Sequence, residues 1–375
     1  MTLRAGDWVE VRSKEEILRS LDSDGKLENL PFMPQMFKYC GGRFRVQQRA
    51  HKTCDTVSGT GGRALPHGIH LQNIRCDGRA YGDCQAACLI FWKEAWLKPI
   101  KNDGPSLAAK DAIPGQPIAS PEKLTCSESI VIARTLAKDQ PASGERKYSC
   151  QAVELPNFTS LLPWWDVRQY IEDYTSGNVT IGRILGGFVY AGYYPLGRPG
   201  RNPLRIPFRW LYDHVVGLWD GVPFPRRSGV IPLDQPTPVA NLALQPGDLV
   251  RVKSFAEIRK TLNRHGRNRG LYFDAEMVPY CGRVFRVKSR ISNFVNEKTG
   301  LLVTLKTPAV ALENVWCQSR YSDKRMFCPR GIYSWWREVW LERASEETAG
   351  RDDGVAEVLP REQDCRQAAA QSVVA

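Results

Sequence analysis

No run in the sequence approaches the roughly 18 consecutive apolar residues that a membrane-spanning helix needs. The opening "MTLRAGDWVE" lacks the apolar core of a secretory signal. Both gaps set the expectation of a cytoplasmic protein without a membrane span, whose thiols stay reduced. Signature motifs of common chemistry are missing too. There is no G-x-x-x-x-G-K phosphate loop, no H-E-x-x-H pair and no nucleophile elbow. "GTGG" at residues 59–62 is too short for a dinucleotide site and lacks its strand-to-helix setting. Dedicated enzyme chemistry is therefore left without a signature. Despite eleven cysteines, no Cys-x2-Cys knuckle of the zinc-ribbon kind occurs.

What the chain does have is size, apolar content and positive charge. Its 375 residues suffice for two or three domains, and 42% apolar residues describe a chain that can bury a core. The formal net charge of +12 admits a polyanionic partner: nucleic acid, an anionic membrane surface or an acidic polysaccharide. It also serves solubility alone.

The chain repeats itself. "GDWVEVRSKEEILRSLDSDG" (6–25) aligns without a gap with "GDLVRVKSFAEIRKTLNRHG" (247–266), and the offset of 241 positions holds through "YCG", "FRV", Asn73/Asn314 and Cys76/Cys317. After a three-residue length difference Cys84 meets Cys328 and Trp92 meets Trp336. Each copy is about 95 residues, an ordinary domain size. Within a copy, "DWVEV" and "DLVRV" alternate apolar and polar residues and predict strands. "EEILRSLD" and "AEIRKTLN" predict a short helix stopped by Gly25 or Gly266. "RFRVQQR" and "VFRVKSR" predict another strand, "LLVTLKTPAVALENV" two strands broken at Pro308, and "EAWLKP" and "EVWLER" a last one.

Five short strands in this order predict a small closed or half-open barrel. The "GDLVRV" opening resembles SH3-like barrels of ribosomal and transcription-elongation modules. The wider frame "GDxVxV…FRV…WREVWLER" resembles an uncharacterised bacterial family of tandem SH3-like modules, which implies architecture and no activity. The expected fold is mainly β with α: two homologous small SH3-like barrels flanking an α-containing insert. The layout expected is module 1 at 1–100, a Pro/Ala/Gly-rich linker at 101–125, the insert at 126–240, module 2 at 241–345 and a disordered tail at 346–375. In the insert, Trp165, Val167, Tyr170, Ile171 and Tyr174, then Ile181, Ile184, Leu185 and Val189, recur at helical spacing and predict two helices broken at "TSGN".

Cys54, Cys76, Cys84 and Cys88 make a C-x21-C-x7-C-x3-C pattern around the polar, glycine-rich "DGRAYGD". Four thiolates suit tetrahedral Zn²⁺ or an iron–sulfur cluster; buried thiols are the plainer alternative. Copy two carries Val295 and Ile332 where copy one has Cys54 and Cys88, so an intact tetrad belongs to copy one alone. His51 and Cys150 are further candidate ligands, while Cys40 and Cys281 in "YCG" read as buried. His67 and His70 in "PHGIH" fit a solvated hairpin, and Cys365 an idle tail.

Residues 197–227 interleave six arginines with Phe208, Trp210, Tyr212 and Trp219. Arg198, Arg201, Arg205 and Arg209 are the candidate polyanion contacts, and the aromatics could stack on bases. The alternative is that the aromatics pack inward while the arginines snorkel outward. Three functional expectations follow. The first is a non-enzymatic scaffold that binds another protein and carries a structural metal site in module 1. The second is an iron–sulfur redox enzyme or redox partner. The third is a nucleic-acid binder using the arginine-rich segment.

Overall fold

The computed structural model describes residues 2–59, 61–100, 125–197, 203–218, 221–322 and 324–345. The expected tail, and the expected linker apart from Thr125, lie outside the described residues, as do Arg198, Arg201 and Cys365.

In copy one the elements are β1 (Trp8–Val11), α1 (Lys14–Ser20), β2 (Lys26–Leu27), β3 (Leu30–Pro31), β4 (Arg43–Arg49), β5 (Lys52–Cys54), β6 (Gly62–Ala64), β7 (Gly68–Leu71), β8 (Trp92–Lys93) and β9 (Leu97–Pro99). The middle supplies α2 (Glu128–Ala133), α3 (Leu155–Phe158), β10 (Ser160–Leu162), α4 (Arg168–Thr175), α5 (Ile181–Gly197) and α6 (Arg205–Gly217). Copy two has β11 (Leu249–Val252), α7 (Phe255–Lys260), β12 (Arg267–Asn268), β13 (Leu271–Tyr272), β14 (Val284–Val295), β15 (Leu302–Trp316), β16 (Tyr333–Trp336) and β17 (Leu341–Arg343).

The repeat in sequence is a repeat in topology. Five strands pair in the order β8-β7-β4-β1-β9 in one copy and β16-β15-β14-β11-β17 in the other. The register is also the same, with Val9 opposite Phe44 and Val250 opposite Phe285. The alternation of β1 puts Val9 and Val11 in the core and leaves Trp8 and Glu10 partly exposed. Both sheets are open, with their outer strands at separate edges, so the fold is mainly β with α and the strand pairing itself does not close a barrel.

Each helix that follows the first strand begins with a capping box: Ser13 with Glu16, and Ser254 with Glu257. At the centre of each copy a phenylalanine meets two tryptophans edge-on. Phe32 lies 6.3 Å from Trp92 and 5.2 Å from Trp96, and Phe273 lies 6.0 Å from Trp336 and 5.2 Å from Trp340. Such pairs add roughly 0.5–1.5 kcal/mol each beyond the area they bury.

One expected break is absent. β15 runs through Pro308 without interruption. Beside it the buried Arg337, directly after β16, donates from its side chain to the Pro308 carbonyl at 3.1 Å. In copy one Lys93, at the position of Arg337, donates from Nζ to the carbonyl of Pro66 between β6 and β7 at 3.0 Å.

The described residues pack as two units. Among the described residues, the first draws on those within 2–84, 89–179 and 295–302, the second on those within 85–88, 180–294 and 303–345. The middle segment therefore divides: α2, α3, β10 and α4 belong to the first unit, α5 and α6 to the second.

Candidate functional site

Cys54 ends β5 and is buried. Cys76, half-buried, accepts a hydrogen bond from Gln35 Nε2 at 3.2 Å, and Cys84 accepts the backbone N–H of Val295 at 3.3 Å. Cys150 packs against the same core, and desolvation pushes its thiol up to about 12. Cys88, also half-buried, falls in the 85–88 segment that packs with the second unit. The ten described cysteines are thiols rather than disulfides. Among the described residues no three His, Cys, Asp or Glu side chains converge as a metal ion would require. As placed, these residues do not fit the zinc or iron–sulfur centre expected from their spacing. The "YCG" cysteines, expected to be buried, are only partly buried, and desolvation raises the Cys281 thiol to about 12 and that of Cys40 in the same direction.

The "RAHKTC" stretch docks a helix. His51 Nε2 faces the Gln169 carbonyl at 3.2 Å and Asp173 Oδ1 at 3.3 Å. Lys52 Nζ meets Asp173 Oδ2 at 2.5 Å, lies 4.9 Å from the Tyr170 ring centre and is 3% exposed. Beside them Arg49 pairs with Glu94 and, at 2.6 Å, with Glu172. Burial works against the Arg49 charge, but the two carboxylates outweigh it and raise its pKa. Arg49, Lys52 and Asp173 were not among the expected site residues. The internal comparison held the signal: copy two has Ser292 and Asn293 where copy one has His51 and Lys52.

The other polar groups of the first unit are similarly engaged. His70, buried, has Nδ1 2.9 Å from the Ile90 carbonyl, whereas His67 is exposed beside Glu94. A cleft of about 250 Å³ contains Phe32, Tyr81 and several charged residues. Those charges pair among themselves, Lys26 with Glu154 at 3.1 Å and Arg134 with Asp24 at 2.6 Å.

In the basic segment the described arginines and most of the described aromatics are partly or fully buried, and of the aromatics only Trp210 is exposed. Residues 205–217 are helical as α6, and the described arginines, Arg205, Arg209, Arg226 and Arg227, are partly buried. Arg209 donates from Nε to the Gly197 carbonyl at 2.5 Å, its guanidinium lies 5.5 Å from the Phe224 ring centre, and burial lowers its pKa. Arg226 donates to the Tyr321 carbonyl at 2.7 Å, and Arg227 pairs with Asp213. Arg205, the first residue of α6, is partly buried.

Outward instead point the apolar side chains: Leu185 is 60% exposed, Val189 73%, Ile206 68%, Trp210 64% and Leu218 73%. Sixteen of the twenty-four large apolar residues exposed among the described residues fall between positions 164 and 218, so the feature is concentrated. Helix α5 packs through Ile184, Gly187, Tyr190 and Gly197. A Cβ added to Gly187 would stand 2.4 Å from the Phe327 ring, and one on Gly197 2.6 Å from the Phe224 ring. The side that carries Ile184, Gly187, Tyr190 and Gly197 goes in, and the bulky stripe of Ile181, Leu185 and Val189 is left outside.

No family model matches the chain, and no curated protein matches it.

Proposed function

We propose that the chain is a non-enzymatic binding protein: two repeated modules, read as SH3-like units, that act as a scaffold and present the α5–α6 hairpin as their contact element. The observation that carries this is the outer surface of the hairpin. Among its described residues, the positions it exposes carry no Asp, Glu, Lys or Arg, whereas a solvent-facing helix surface is ordinarily charged. Meanwhile His51, Lys52 and Asp173, the groups that acid–base chemistry would draw on, are engaged in holding α4. The metal centre forms no part of this reading.

The test is retention on a phenyl resin. A Leu185→Asp/Val189→Asp variant should elute much earlier than the unmodified chain and unfold at the same temperature. Unchanged retention, or a large loss of thermal stability, would remove the hairpin as a contact surface.

A further inference from the structure

We infer that the α5–α6 hairpin lies in the surface of an anionic lipid bilayer, its outer face among the acyl chains and its arginines at the level of the headgroups. This rests on the reading of the hairpin as a contact element and names what it contacts. No helix among the described residues is long and apolar enough to cross a membrane, so the contact in question lies along the surface.

Three observations favour lipid over a protein partner. First, the outer face lacks formal charge along both helices, about 25 Å of α5 and about 20 Å of α6. Protein interfaces ordinarily keep a charged or polar rim, whereas a helix lying in a bilayer surface sinks its whole apolar side by roughly 5–10 Å. Second, that face alternates bulky side chains with gaps. Added Cβ atoms on Gly182, Gly186 and Gly192 would meet nothing within 4 Å, a relief that fluid chains fill without a matched counterpart. Third, the partly buried charges on the two helices are mostly of the right sign: Arg183, Arg205 and Arg209 against Asp213, which pairs with Arg227. Arg183 and Arg205 are only partly buried on helices whose outer side is apolar, exposed Trp210 supplies an aromatic suited to the interface, and the chain as a whole carries +12.

The experiment is flotation of the full chain with vesicles of phosphatidylcholine alone and with vesicles containing about one-third phosphatidylglycerol. The chain should float with the anionic vesicles and far less with the neutral ones. Leu185→Glu/Val189→Glu should cut the floated fraction about tenfold with an unchanged melting temperature, and the milder Trp210→Ala should cut it severalfold. Failure of the unmodified chain to float with either vesicle, or equal flotation of the double variant, overturns the lipid contact. Sedimentation velocity then separates the two readings. A concentration-dependent dimer abolished by Leu185→Glu/Val189→Glu keeps the hairpin as a contact element with a second copy as its occupant. A monomer at every concentration, together with unchanged phenyl retention, removes both.

Discussion

Glu276 receives the backbone N–H of Tyr321 at 2.6 Å and that of Arg320 at 3.0 Å while only 3% exposed. The loop it holds is gripped from its other side by Arg226 on the Tyr321 carbonyl, and the Tyr321 ring packs on Tyr190 of α5 at 5.0 Å. Burial raises the carboxyl to about 7; the two N–H donors and Arg226 oppose that rise, and Asp274 adds to it. The position is Gln35 in copy one.

A pH dependence follows from that burial. The folded pKa of about 7 lies above the ordinary 4.5, so the folded protein holds this proton more tightly than the unfolded chain does. The contribution is therefore fully present below the ordinary value and is lost as pH rises through about 7. Relative to a Glu276→Gln variant, the unmodified chain should lose up to about 3 kcal/mol of stability between about pH 5 and pH 8. Urea unfolding at several pH values measures the difference, and parallel pH profiles for the two proteins would contradict it.

Lys52 and Asp173 predict a larger loss. Asp173→Asn leaves an ammonium buried without its carboxylate and should cost about 3–5 kcal/mol. Lys52→Met combined with Asp173→Leu removes both charges and should cost clearly less than the two single changes added together. Limited proteolysis should find cleavage near α4 in Asp173→Asn first. A single-variant loss below about 1 kcal/mol would mean the pair does not hold the helix.

How far the sequence reaches is set by what periodicity can express. The repeat, the alternating strands and the helix break at "TSGN" are legible because each is a local pattern with a local cause. Spacing says which residues share a face of α5 but not which face is inside. Here Gly187 and Gly197, whose lack of side chains lets Phe327 and Phe224 approach, lie on the buried side with Ile184 and Tyr190, while Gly182, Gly186 and Gly192 lie outside, and a hydrophobicity pattern does not tell one glycine from another. Proline lowers the strand expectation at position 308, yet β15 continues there, with Arg337 from beyond β16 donating to its carbonyl. Cysteine spacing suggested a ligand set, but convergence depends on how distant loops fold back. Cys84 finds the Val295 amide instead.

The cysteines make a comparative prediction. A thiol that only packs is worth its burial, so Cys328→Ser, at a position 4% exposed, should cost about 1–2 kcal/mol and no less than Cys84→Ser. Thermal unfolding of the two variants under reducing conditions decides it. A loss several times larger for Cys84→Ser would point to a thiolate ligand in module 1.

The tryptophans at the two module centres make a paired prediction. Trp96 donates its indole N–H to Ser20 Oγ at 3.1 Å, and Trp340 to Thr261 Oγ1 at 2.9 Å, from side chains that are fully buried. Removing either acceptor leaves a buried donor unsatisfied, so Ser20→Ala and Thr261→Val should each cost about 1–3 kcal/mol. The cost should vanish once the donor is gone: in a Trp96→Phe background, Ser20→Ala should be close to neutral, and Thr261→Val likewise beside Trp340→Phe. Two double-mutant cycles by urea unfolding supply the coupling energies. Similar coupling in both cycles would make the bond a shared part of the repeated core. Coupling near zero in either would show that the hydroxyl there matters through packing rather than through the hydrogen bond.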